Sequence, residues 1–219
     1  MEQQQIIDGL LMYLILVIAV TFHEFGHAWM SWKRGDDTAR LLGRISLNPI
    51  VHMELLGTVV LPLLGIFLGM AGSGLAAFVI GWGKPVPVNS ANLKNPGPDW
   101  VLVAMAGPAM NVLLAIFAMA MVKVGFMMDA GAFIQFFLFF AILNLRLCFF
   151  NLIPIPPLDG SHLLRYFIGM SEEKFLMLSQ YGFFILIVVI QFPFVRGLLH
   201  TATFGSLHIL GSVFAVPLR

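Results

Sequence analysis

The chain has 219 residues, 59% of them hydrophobic and 11% charged, and a mean hydropathy of +0.93. Soluble domains carry about 25% charged residues, so the composition excludes an ordinary soluble enzyme and predicts an integral membrane protein. A net charge of +1 argues against a nucleic-acid surface. The single cysteine, Cys148, excludes an internal disulfide or a cysteine-built metal cluster. With no repeat, linker or low-complexity tract in view, 1–219 reads as one membrane-embedded domain.

Residues 6 to about 32 predict a first spanning helix, long enough for the ~20 residues a crossing needs. Its second half holds His23-Glu24-Phe25-Gly26-His27. On a helix, positions i and i+4 share a face one turn apart, so two imidazoles can meet one ion. A glutamate following the first of them can hold a water there, the HExxH arrangement of a zinc hydrolase. A polar stretch, Lys33 to Glu54, follows. Residues 55–80 are apolar but broken by Pro62, Gly65, Gly69, Gly72 and Gly74. Gly81 to Pro98 is too rich in Pro, Gly and Asn for helix, and Ala77 to Val88 could be extended, with Pro85 and Pro87 at an edge.

Spans are predicted over 100–125, opening with the small residues of AGPAMN, over 132–152 and over 174–192. A last one is placed at 195–215, where Arg196, His200 and His208 interrupt the apolar run. The fold class expected is an all-α polytopic membrane protein with about five to six membrane segments and a re-entrant helix/β-like dip at 55–98. Its catalytic core runs over about 8–170, with carboxyl-terminal helices at 174–215.

A catalytic zinc takes three protein ligands. Beyond His23 and His27, the candidates are Glu54, Asp99, Glu172 and Glu173 at predicted membrane edges, Asp129 in a loop, and Asp159. The last follows Asn151-Leu152-Ile153-Pro154-Ile155-Pro156-Pro157-Leu158, where prolines must end a helix and a carboxylate can be aimed inward.

HEFGH in a first span, AGPAMN opening a later one and NLIPIPPLDG closing another resemble the bacterial and archaeal site-2 proteases, which are zinc intramembrane metalloproteases. The segments SLNPIVHMELLGT and GWGKPVPVN are similar to the small subgroup without a PDZ or CBS domain, and the resemblance runs from about residue 8 to 170. It implies one Zn2+ ion on His23, His27 and Asp159, with Glu24 as the catalytic glutamate. It also implies that Asn151 steadies the substrate or its oxyanion, and Asn111 is a candidate substrate contact as well as a candidate helix-packing residue. The expected substrate is a single-span membrane protein, such as an anti-sigma factor or membrane-bound regulator, cut in or near its transmembrane segment. A zinc transporter and a non-catalytic binding module are the competing readings. Ser161, where a small residue such as Gly is common, and Arg146, a charge within a span, depart from the family pattern.

If the carboxyl ends of the first and the 132–152 spans meet at one zinc, both helices run the same way and 100–125 runs opposite. Residues 33 and 99 then share a side, so 55–80 dips into the membrane and returns, as a helix to about Leu68 turned at Gly72-Ser73-Gly74. With the dip, eight Lys and Arg lie on the cytoplasmic side and two outside; a full crossing gives six and four. The expected setting is the inner membrane, with the amino terminus outside and the site toward the cytoplasm.

Overall fold

The computed structural model describes residues 2–70, 72 and 81–217, which divide into two compact units, Met1–Lys94 and Asn95–Arg219. No strand occurs among the described residues.

In the first unit, helix α1 (Glu2–Lys33) is about 48 Å long at 1.5 Å per residue, enough to cross a hydrocarbon core of ~30 Å. Its amino-terminal half exposes Ile6, Leu10 and Leu14, side chains suited to lipid contact. Gly35, at φ +110°, ends it in a backbone conformation that L side chains resist. Directly after, the buried carboxylate of Asp36 accepts hydrogen bonds from Ser31 Oγ, Thr38 Oγ1, Asn89 N–H and Asn92 Nδ2. Lys94 N–H donates to Arg34 O. One side chain thus fastens the short helix α2 (Thr38–Leu41) and the 89–92 loop to the end of α1.

The dip is built as expected up to its turn. A π-helical turn, Leu55–Val60, capped by the Glu54 carboxylate, continues into α3 (Leu61–Met70). Its 16 residues reach about 24 Å, short of a crossing. The chain then returns to where it left: Trp82 N–H donates to Gly57 O, Lys84 N–H donates to His52 O, and Thr58 Oγ1 donates to Trp82 O at 2.7 Å. The helix runs to Met70 rather than Leu68, and Gly72 takes a positive φ of +66°. The rest of the expected turn, Ser73-Gly74, and residues 77–80 of the expected extended segment lie outside the described residues. Residues 81–88 form no strand, because their backbone partners are a helical turn, a loop and a side chain rather than another strand.

In the second unit, α4 (Pro96–Met127) and α5 (Gly131–Asn151) form an antiparallel pair. Asn111 Nδ2 donates to Asn144 Oδ1 at 2.9 Å, Phe117 meets Phe137 edge-on, and Gly125 lies against Ile134. Buried Ala104, Gly107, Pro108, Ala115 and Ala118 let the backbones come close. α6 (Gly160–Phe167), α7 (Glu172–Val189) and α8 (Pro193–Val213) complete the unit. α1, α4 and α5 are each long and apolar enough to span; α7 and α8 pass only as a pair bent by 85°. The expected clear span at 174–192 is thus weaker than read, since α7 opens on the charges Glu172, Glu173 and Lys174.

The Asp36 carboxyl is partly opposed by burial, but its hydrogen bonds outweigh that and hold its pKa at about 2, below the ordinary 3.8. A depressed folded-state pKa stabilises above the unfolded value and is lost as pH falls through the folded one. The difference corresponds to about 2 kcal/mol. Asp36→Asn is therefore expected to lower the thermal midpoint of detergent-solubilised protein at pH 7. The gap to wild type should narrow between pH 4 and pH 2, as read by melting curves across that range.

Candidate metal centre

The first unit brings His23, Glu24 and His27 together on one face of α1. All three are 7–9% exposed. The Nε2 atoms of the two imidazoles lie 3.0 Å apart, with ring centroids at 4.6 Å and planes at 81°. Two nitrogens each ~2.0–2.1 Å from one tetrahedral ion would lie about 3.3 Å apart, so the pair fits a shared divalent cation with little adjustment. A set of imidazole nitrogens completed by a carboxylate oxygen suits zinc.

Glu24 is walled by main chain. A Cβ at Gly83 would stand 2.7 Å from Val20 Cγ1 and 3.0 Å from Glu24 Oε1, so a larger residue there would push one or both side chains aside. That segment is tied down on either side of Gly83. Arg44, 5% exposed, donates from Nη2 to Lys84 O at 2.6 Å and from Nη1 to Pro85 O at 3.1 Å. Burial lowers the Arg44 pKa, and the nearby charge of Glu24 opposes the shift. His52 is fully buried, with Nε2 2.7 Å from Ser46 O; burial pushes its pKa down. Its role is to shape the loop that receives Lys84. Gly83 itself has no hydrogen-bond partner for its N–H or C=O among the described residues.

In the second unit, α5 stops at Asn151, whose Nδ2 donates to Leu147 O at 3.0 Å. The proline-rich turn then folds back so tightly that a Cβ at Gly160 would collide with Leu152 O. This turn delivers Asp159, half-buried, to the start of α6, where its side chain does not cap the helix. Ser161, the departure from pattern, donates to Leu158 O at 2.6 Å and closes the turn. His162 stacks on Trp100 at 4.5 Å and contacts Phe175, a packing role.

Other acidic candidates have local duties. Glu54 caps the π-helical turn, Asp99 accepts from Asn95 N–H at the start of α4, and Glu172 pairs with Arg165. Asn111 is fully buried and committed to Asn144. The residues not anticipated from sequence are Asp36, Arg44 and Gly83. Only Gly83 had a signal there, the glycine pair of Gly81-Trp82-Gly83.

A helical membrane protein with an HExxH face on its first long helix falls in the class of membrane metalloproteases. The profile of Peptidase family M50 matches residues 11–128 and 118–190. Over 195 residues, 84% of this chain and 83% of the other, the sequence is 35% identical to the Bacillus subtilis protein named "Putative zinc metalloprotease YwhC". It is 30% identical over 187 residues, 82% of this chain and 68% of the other, to the likewise named Rip2 of Mycolicibacterium smegmatis. The chain belongs to Peptidase family M50, the family of the site-2 proteases. No solved structure matches it significantly.

Gly83→Ala is expected to displace Glu24 and cut proteolysis at least about tenfold, since small misplacements of catalytic groups are costly. Metal content should stay at the wild-type level, as measured by elemental analysis of the purified variant alongside a cleavage assay.

Proposed function

We propose that the protein is an intramembrane zinc endopeptidase that hydrolyses peptide bonds in or near the transmembrane segment of single-span membrane proteins. His23, His27 and Asp159 hold one zinc ion. The observation that carries this reading is the buried pair of Nε2 atoms 3.0 Å apart with Glu24 on the same helical turn. The names of the relatives in Bacillus subtilis and Mycolicibacterium smegmatis, each a zinc metalloprotease by its printed name, support the choice of metal.

When bound, zinc acidifies water and polarises a carbonyl. Glu24 accepts the proton of the attacking water on a carboxylate oxygen and passes it to the leaving amine nitrogen. Asn151 uses one amide N–H on Leu147 O; its second N–H donates to the developing oxyanion. A transmembrane helix hides its scissile bonds and must unwind, exposing N–H and C=O groups that lipid cannot satisfy. The N–H and C=O of Gly83, without a partner among the described residues and lying against Glu24, accept such a stretch by strand addition. The amino terminus faces outward and the reaction lies toward the cytoplasm, so that cleavage releases a cytoplasmic domain such as that of a membrane-bound regulator or anti-sigma factor.

Glu24→Gln in liposomes carrying a tagged single-span substrate is expected to lower cleavage by about 10²–10⁴-fold, the range for a lost general base, with zinc retained. His23→Ala, His27→Ala and Asp159→Ala are expected to lose zinc as well as activity. Cleavage by Glu24→Gln at the wild-type rate would sink the mechanism, and zinc flux across vesicles without proteolysis would favour a transporter.

A further inference from the structure

Arg146 is an exposed arginine within the span α5, and the reaction makes no use of it. Charged groups in a span are costly and need a partner. Among the described residues Arg146 forms no ion pair; its guanidinium lies 5.9 Å from the ring centroid of Phe204 on α8. Phe204 is in turn 4.5 Å from the ring of His200. Along α8 the residues Arg196, His200, Phe204 and His208 recur every fourth position, so they form one ridge of the helix. Arg196, His200 and His208 are exposed, and neither α5 nor α8 carries an aspartate or glutamate. The ridge is therefore basic with no internal counter-charge.

Contacts within the second unit set the heights of these groups. α4 and α5 are antiparallel, Lys123 Nζ near the end of α4 donates to Ala215 O just past α8, and Arg146 meets Phe204. α8 therefore runs antiparallel to α5, with its amino-terminal half at the level of the α5 carboxyl end. α5, with 21 residues, is about 31 Å long, matching a core of ~30 Å, so its end lies at the lipid headgroups. Arg146 sits about 7–8 Å inside that end, and His200 and Arg196 lie about 6 Å and 12 Å farther toward it along α8 than Phe204. An arginine at this depth extends its head to the interface while its stem stays in lipid. Arg146 and His200 thus lie near headgroup height on the outer surface of the helix pair, and Arg196, whose Nη2 donates to Gln191 O at 3.0 Å, stands one turn beyond His200.

We infer that Arg146, His200 and Arg196, backed by Phe204, form a binding site for the phosphodiester headgroup of an anionic phospholipid at the α5–α8 seam. The guanidinium groups supply charge-assisted donors to the phosphate oxygens, and the neighbouring apolar faces of α5 and α8 receive the acyl chains. The site does not depend on the metal or on the proposed hydrolysis.

The full-length protein is to be delipidated in detergent and titrated with phosphatidylglycerol, with phosphatidylcholine and with inorganic phosphate, with bound lipid counted by native mass spectrometry. Saturable retention of phosphatidylglycerol over phosphatidylcholine is expected. Arg146→Gln should weaken it at least about tenfold, the scale of one lost charge-assisted contact, with zinc content and helicity unchanged. Arg146→Lys should weaken it less. The exposed pair Arg196→Gln and His200→Gln supplies an independent variant should Arg146→Gln fail to fold. Unchanged phosphatidylglycerol retention in the folded variants would overturn the site. Equal occupancy by inorganic phosphate would overturn the lipid as its occupant, and so would displacement of lipid by an acidic transmembrane peptide at equal concentration.

Discussion

Two imidazole nitrogens 3.0 Å apart and a carboxylate on the next residue, all within a membrane-spanning helix, set the terms for the rest of this protein. Such a group is costly in an apolar setting unless other groups or a cation satisfy it. Hydrolysis adds the need for water at the same depth. The structure answers by bringing polar main chain to α1: the 81–85 segment returns from the dip and lays Gly83 against Glu24. Irregular backbone at membrane depth is tolerated where protein surrounds it or water reaches it, and here the surrounding protein is α1, α3 and the 44–58 loop.

What keeps that backbone in place is a set of buried polar side chains reaching across long stretches of sequence. Asp36 fastens residues 89 and 92 to the end of α1. Arg44 holds the carbonyls of Lys84 and Pro85, and Thr58 holds that of Trp82. Every one of these contacts satisfies a main-chain or amide group that could not otherwise pair without a strand beside it. The loop after α1 therefore works as a clamp on the segment beside Glu24, and the return of the chain to its point of departure follows from the clamp.

In the second unit the ordering agent is close helix packing. Small residues on α4 admit α5, and the Asn111–Asn144 bond fixes the register between them in a setting with no competing water. The end of α5 is then set by prolines and by Gly160, which no larger residue could replace without meeting Leu152 O. The turn so formed presents Asp159 without committing it as a helix cap.

Local chemistry written in neighbouring residues was legible from sequence. The HExxH face needs only the helical period. The spans need only apolar runs, and their ends fell within a few residues of 33, 96, 127, 131 and 151 because Pro, Gly and charged groups stop them locally. The return of the chain after residues 55–70 was also legible, because the order of the spans along the chain calls for it. Contacts between distant residues were not. Asn111 could not be seen to pair with Asn144, nor Arg44 with the carbonyls of 84 and 85, because hydrogen bonds over tens of residues leave no periodic trace. The same holds for the irregular course of 81–88, which reads as strand until its partners are known to be a helical turn, a loop and a side chain. The sequence alone determined the residue types of the candidate metal centre, their helical face and the membrane setting. The tertiary structure alone decided which backbone lies on Glu24, which side chains hold it there, and that Arg146 shares a basic ridge with α8, since each depends on through-space neighbours that the order of residues does not encode.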